Sequence, residues 1–215
     1  YVASINGAGQ VAFQAACQRG AQSGSGIFCG DGLSLQELRT ADDPARSPQV
    51  PLQGPASWQF ISHPAINDAG EVSVYAESKA LGKALLIWRG QRWDILAGVK
   101  SGLQQIGPLG PTMNAAGAVA FRAQDAAGQH GIYLANEGAC HLLADASQGF
   151  SAFHGLPVVN ARGDVLFRAD QTGGRQTLCW CPGTDGAAAP GPCQVLIDNA
   201  GEFAELSLFP SMDNK

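Results

Sequence analysis

Apolar residues in this chain come in short runs of four to seven, and the runs are cut by turns rich in Gly, Pro and Asn. Residues 151–202 show the order best. Phe153–Val159 is followed by the turn Asn160-Ala161-Arg162-Gly163, then by Asp164–Ala169 and the turn Gln171-Thr172-Gly173-Gly174. Gln176–Cys181, a long Gly/Pro/Ala loop and Cys193–Asp198 complete it. Runs of this length, rich in Val, Ile, Leu and aromatics and bounded by Gly-bearing turns, read as β-strands. No segment holds a 3.6-residue apolar period between breakers, so helix is expected to be minor.

The same order recurs. Pro111–Met113, Ala118–Ala123, Gly131–Ala135 and Cys140–Ala144 form one unit. Phe60–Ile66, Glu71–Tyr75, Ala84–Arg89 and Trp93–Ala97 form another. Val2–Ile5, Gln10–Ala15, Gly26–Cys29 and Leu35–Arg39 form the first. Each unit carries the phrase apolar–Asn–x–x–Gly–x–Val–x–apolar, at Asn6/Gly9, Asn67/Gly70, Asn114/Gly117 and Asn160/Gly163, with Asn-to-Asn spacings of 61, 47 and 46 residues. Asn opens a tight turn by bonding nearby backbone. Gly three positions later supplies the positive φ of a type I turn closing on a bulge. These eight residues are therefore expected to be turn formers, not catalysts. The Val-x-Phe that follows puts two apolar side chains on one face of a strand. Ala12, Ser73 and Ala120 put a small residue on the other, where a neighbouring sheet can pack closely. Leu166 departs from this.

Four strands per tandem unit is the signature of a β-propeller blade. The expected fold is all-β, a β-propeller with four antiparallel four-stranded blades at about 1–58, 59–107, 108–150 and 151–202. Residues 203–215 are expected to hold the first strand of a fifth, at Glu205–Pro210, in a fragment of a larger ring. The uncovered edges and faces are then expected to be completed by further blades or by a partner subunit.

Composition narrows the function classes. Charged residues make up 14% of 215 positions and the formal net charge is −5. No Lys/Arg cluster is present to collect counterions from a phosphate backbone, which argues against nucleic acid as a partner. No apolar run reaches the roughly 18 residues of a membrane-spanning helix, so insertion by this segment is not expected. The motifs of zinc proteases, P-loops and nucleophile elbows are missing. No cofactor or metal is expected. Asp42-Asp43 lacks the spacing of a calcium loop.

The six cysteines point to an oxidising compartment. Cys17/Cys29 and Cys181/Cys193 each lie 12 residues apart around a Gly/Ser/Pro-rich stretch and are expected to form disulfides. Cys140 and Cys179 remain as a third pair. A four-thiolate zinc site is the alternative, but one residue separates Cys179 and Cys181, fewer than structural zinc uses. The ligand-binding candidates are few. His63 and His154 precede Pro64 and Pro157 in what read as equivalent first strands. Trp58 sits in the Pro55-Ala56-Ser57-Trp58 insertion, where an exposed indole suits sugar or protein contact. Trp88 and Trp180 read as packing residues at comparable third-strand positions.

The repeated phrase resembles that of bacterial tandem-repeat proteins named for an NxxGxxAF motif. Asn6-Gly9-Ala12-Phe13 and Asn114-Gly117-Ala120-Phe121 match it in full, while Asn67-Gly70-Ser73-Val74 and Asn160-Gly163-Leu166-Phe167 depart at its end. The resemblance covers nearly the whole chain. It implies a secreted, periplasmic or surface-anchored protein and assigns no catalytic residue. Two readings of function follow. One is a non-catalytic repeat module that binds protein or glycan, or builds an assembly, at the cell surface. The other is a secreted glycan-acting hydrolase or lyase. The latter needs paired carboxylates, for which Asp68, Glu71, Asp125 and Asp164 are candidates.

Overall fold

A computed structural model describes residues 2–19, 22–38, 59–79, 81–183 and 191–213. It is all-β, built from four antiparallel sheets that meander as a propeller blade does, with the first position shared by two short strands in the second and third sheets. The first sheet holds β1 (Ser4–Ile5), β2 (Val11–Arg19), β3 (Gln22–Gly30) and β4 (Leu35–Glu37). The second holds β5 (Phe60–Ile61), β6 (Ala65–Ile66), β7 (Val72–Ser78), β8 (Gly82–Trp88) and β9 (Trp93–Ala97). The third has β10 (Leu103–Ile106), β11 (Thr112–Met113), β12 (Val119–Asp125), β13 (His130–Asn136) and β14 (Ala139–Asp145). The fourth has β15 (Phe150–Val159), β16 (Val165–Gln171), β17 (Gln176–Cys181) and β18 (Gln194–Asp198). Residues 103–106 thus belong to the third sheet rather than the second.

Two compact units result. Residues 1–102 with 109–111 form one, and 103–108 with 112–215 form the other. In the first, Val72 and Val74 of the second sheet pack with Ala12 and Ile27 of the first sheet, and with Trp88 and Trp93. In the second, Val165 and Phe167 of the fourth sheet pack with Ala118 and Ala120 of the third. In each unit, therefore, the Val-x-apolar face of the later sheet meets the small-residue face of the sheet before it. Ala12, Ala120, Val72, Val74, Val165 and Phe167 are all fully buried. Short side chains on one wall let the larger ones opposite fill the gap at interior density.

The disulfide expectations divide. Cys181 and Cys193 are bonded, at the end of the β17–β18 ladder where Trp180 faces Gln194. The expected Cys17–Cys29 bond is absent, since Cys29 is a free thiol. The stretch between them is not a loop closed at its neck but a long hairpin, in which Cys17 faces Gly24 and Cys29 faces Ala12. Cys140 and Cys179 are likewise free. They lie on strands of different sheets, each paired elsewhere, Cys140 opposite Ala135 and Cys179 opposite Phe167.

The expected strand at Glu205–Pro210 is irregular instead. A first strand bonds to the strand after its turn, and among the described residues no strand follows Pro210. The segment is held by side chains: the Leu206 N–H donates to Gln176 Oε1 at 2.8 Å. The Leu208 carbonyl lies where a Cβ on Gly155, at φ 59°, would be.

Candidate functional site

The four Asn turns are alike. In each, the Gly N–H donates to the Asn carbonyl at 3.0–3.1 Å, and Gly9, Gly70, Gly117 and Gly163 have φ of 75–82°. The Asn Oδ1 accepts the backbone N–H four residues on at 2.9 Å in every copy. The four Asn residues are 2–9% exposed, so their amide hydrogens need partners. Asn6 Nδ2 donates to the Asn67 carbonyl and Asn114 Nδ2 to the Asn160 carbonyl, both at 2.9 Å. The turn former is thus also a bolt to the next sheet. Inner strands are joined at equivalent positions too. Ser4 Oγ accepts the Ile66 N–H at 3.3 Å, and Thr112 Oγ1 donates to the Pro157 carbonyl at 2.7 Å.

The carboxylate candidates are occupied by this scaffold. Asp68 accepts the Gly7 N–H at 2.7 Å. Glu71 pairs with Arg89 at 3.0 Å and accepts from Asn67. Asp125 caps its own turn through the N–H groups of Ala127 and Gln129. Asp164 accepts from Asn160, Arg162 and the Gly183 N–H. Burial alone would raise the Asp164 pKa, but the Gly183, Asn160 and Arg162 donors together hold it below the usual carboxylate range. Each is thus engaged in holding a turn, whereas glycosidic chemistry needs a pair of carboxylates available to the substrate.

The two histidines are not equivalent. His154 faces Arg168 across β15 and β16. The position matching His154 in the second sheet is Ser62, whose N–H and hydroxyl bond Tyr75. His63 falls one residue later, in the bulge between β5 and β6. There Gly110 presses on its imidazole so closely that a Cβ would overlap the ring. Burial lowers the His63 pKa. His154 Nε2 sits 2.9 Å from Asp170 Oδ2. Asp170 Oδ1 is 2.6 Å from Nη1 of Arg168, whose side chain is 4% exposed. The alignment there is too poor for a hydrogen bond, leaving an ion pair. Asp170 thereby orients the His154 ring, with a buried guanidinium behind it. A proline-based alignment misplaced these residues because the bulges differ in length. The same one-residue offset separates Trp88, opposite Val72, from Trp180, opposite Leu166, so their side chains face opposite sides of their sheets. Trp58 and Asp42-Asp43 lie outside the described residues. Among the described residues no cluster of three or more His, Cys, Asp or Glu has metal-binding geometry.

A different feature stands out, the Val-x-Phe face of the first sheet. Val11 and Phe13 are only half-buried, whereas their counterparts in the second and fourth sheets are fully covered. Phe13 stacks on Phe28 with ring centroids 5.7 Å apart. Beside them Leu33 is 98% and Leu35 64% exposed. Val11, Phe13, Gly30 and Leu33–Leu35 line an apolar concavity of about 310 Å³. Periodicity alone marks these residues as core, and only comparison with the other sheets shows that this face is less covered than its counterparts.

No family model and no curated protein matches the chain. Among solved structures it is similar to "Hadza microbial sialidase Hz136", at 11% identity and a TM-score of 0.45, over 86% of this chain and 43% of that one. The chain thus spans less than half of that enzyme's length.

Proposed function

We propose that this chain is a non-catalytic repeat module of an exported protein, binding protein or glycan or building an assembly at the cell surface or outside the cell. The observation that carries this reading is the half-bare apolar face of the first sheet, composed like faces that are buried elsewhere in the same chain. Exposed apolar patches of this kind mark interaction sites. The Cys181–Cys193 disulfide and the resemblance to NxxGxxAF repeat proteins support export. No helix among the described residues is long and apolar enough to cross a membrane. The turn-bound carboxylates weigh against the glycan-acting alternative. A panel of glycosidase and lyase substrates, run beside a glycan array, tests the reading. Binding without turnover is expected, and turnover that tracks the purified chain overturns it.

A further inference from the structure

We propose that the Val11–Phe13 face of the first sheet is the docking site for one more sheet of the same Asn-x-x-Gly repeat, one that presents small residues on its facing side. This rests on reading the chain as an assembly module and names the partner of that surface. The argument is repeat equivalence. Val11 and Phe13 occupy the positions of Val72 and Val74, and of Val165 and Phe167, in the aligned phrases. Those two pairs are each buried against the preceding sheet's small residue, Ala12 in one unit and Ala120 in the other.

The polar bolt has a matching acceptor on this sheet. The Asn67 and Asn160 carbonyls each accept the Gly N–H of their own turn and also the side-chain amide of the preceding sheet's Asn. The Asn6 carbonyl accepts the Gly9 N–H, which leaves one lone pair for an incoming Asn amide.

Shape and chemistry both exclude the chain's own sheets. Ala12 and Ala120 are already covered and Ser73 is fully buried. The fourth sheet offers Leu166 with Arg168 and Asp170 on the same face, too bulky and too charged for this wall. The occupant is therefore a repeat sheet other than these four.

Residues 103–154 supply a stand-in, with Ala118 and Ala120 on their facing side. They would be fused ahead of Tyr1 of the full chain, in a Phe13→Cys background. Thiol alkylation at position 13 is then followed by peptide mass spectrometry. Labelling is expected to slow by at least about tenfold in the fusion relative to the unfused chain, because burial shields the thiol. An Ala120→Glu change in the appended copy alone is expected to restore fast labelling, since it puts an unpaired charge into the interface. Equal labelling rates with and without the appended sheet overturn the proposal. So does light scattering that shows the unfused chain as a dimer and its Phe13→Ala variant as a monomer, which would make a second copy the occupant. Turnover in the substrate panel with protection at position 13 would sink the non-catalytic reading while leaving this surface standing.

Discussion

The side-chain amide of Asn114 donates to the backbone carbonyl of Asn160 at 2.9 Å, tying one turn to its counterpart in the next sheet. Its Oδ1 meanwhile accepts the Ala116 and Ala118 N–H groups of its own turn. A turn former alone tolerates Asp, and Asp213 stands at the matching position of the phrase. A bolt does not. Asn114→Asp removes the donor and sets carboxylate oxygen against a buried carbonyl. It is expected to cost about 1–3 kcal/mol, read as a lower urea midpoint at unchanged m. An unchanged midpoint would return Asn114 to a purely local role.

Gly117 has φ 77° with its N–H bonded to the Asn114 carbonyl. Gly117→Ala is expected to destabilise by roughly 1 kcal/mol or more, since a Cβ is strained in that conformation. Gly155→Ala acts differently, because its methyl overlaps the Leu208 carbonyl. Faster amide exchange across 203–210 is the expected signature.

Phe167 and Phe13 occupy the same repeat position in unlike surroundings, fully buried and half-buried. Phe167→Ala is expected to cost about 3–5 kcal/mol, and Phe13→Ala less than half as much. Equal losses would show that the first sheet's face is already covered.

Cys181–Cys193 closes its loop covalently. Cys29, Cys140 and Cys179 are thiols, with burial pushing Cys140 up to about 11. Alkylation in denaturant without reductant, followed by digestion, should label those three and leave the 181–193 pair crosslinked. Replacing both bonded cysteines with Ala is expected to cost about 3 kcal/mol in the chain-entropy model.

Burial under Gly110 lowers the His63 pKa. A histidine whose pKa is lower folded than unfolded takes up its proton more readily when the chain unfolds. Stability owed to neutral His63 is present above its ordinary value near 6.5 and is lost as pH falls toward the folded value. The NMR titration midpoint of His63 should lie below that of an unfolded-chain histidine. In His63→Gln the fall in stability below pH 6.5 should be shallower.

The chain's hydrophobic rhythm was enough to reveal β-strands, their grouping into four sheets, the Asn/Gly turns and the close packing at Ala12 and Ala120. These are local properties, since strand period, turn chemistry and side-chain size act within a few residues. Strand pairing and packing between sheets were decided only in three dimensions. Extension of β2 and β3 to Arg19 and Gln22 carried Cys17 and Cys29 out of register. Bulges of unequal length set His154 opposite Arg168 and put His63 a residue past the matching place. The second role of Asn6 and Asn114 was hidden because their acceptors are backbone carbonyls 61 and 46 residues away, and a carbonyl has no sequence signature. The half-covered state of the Val11–Phe13 wall was hidden for a similar reason. Composition makes a face apolar, but whether it is covered depends on what lies against it.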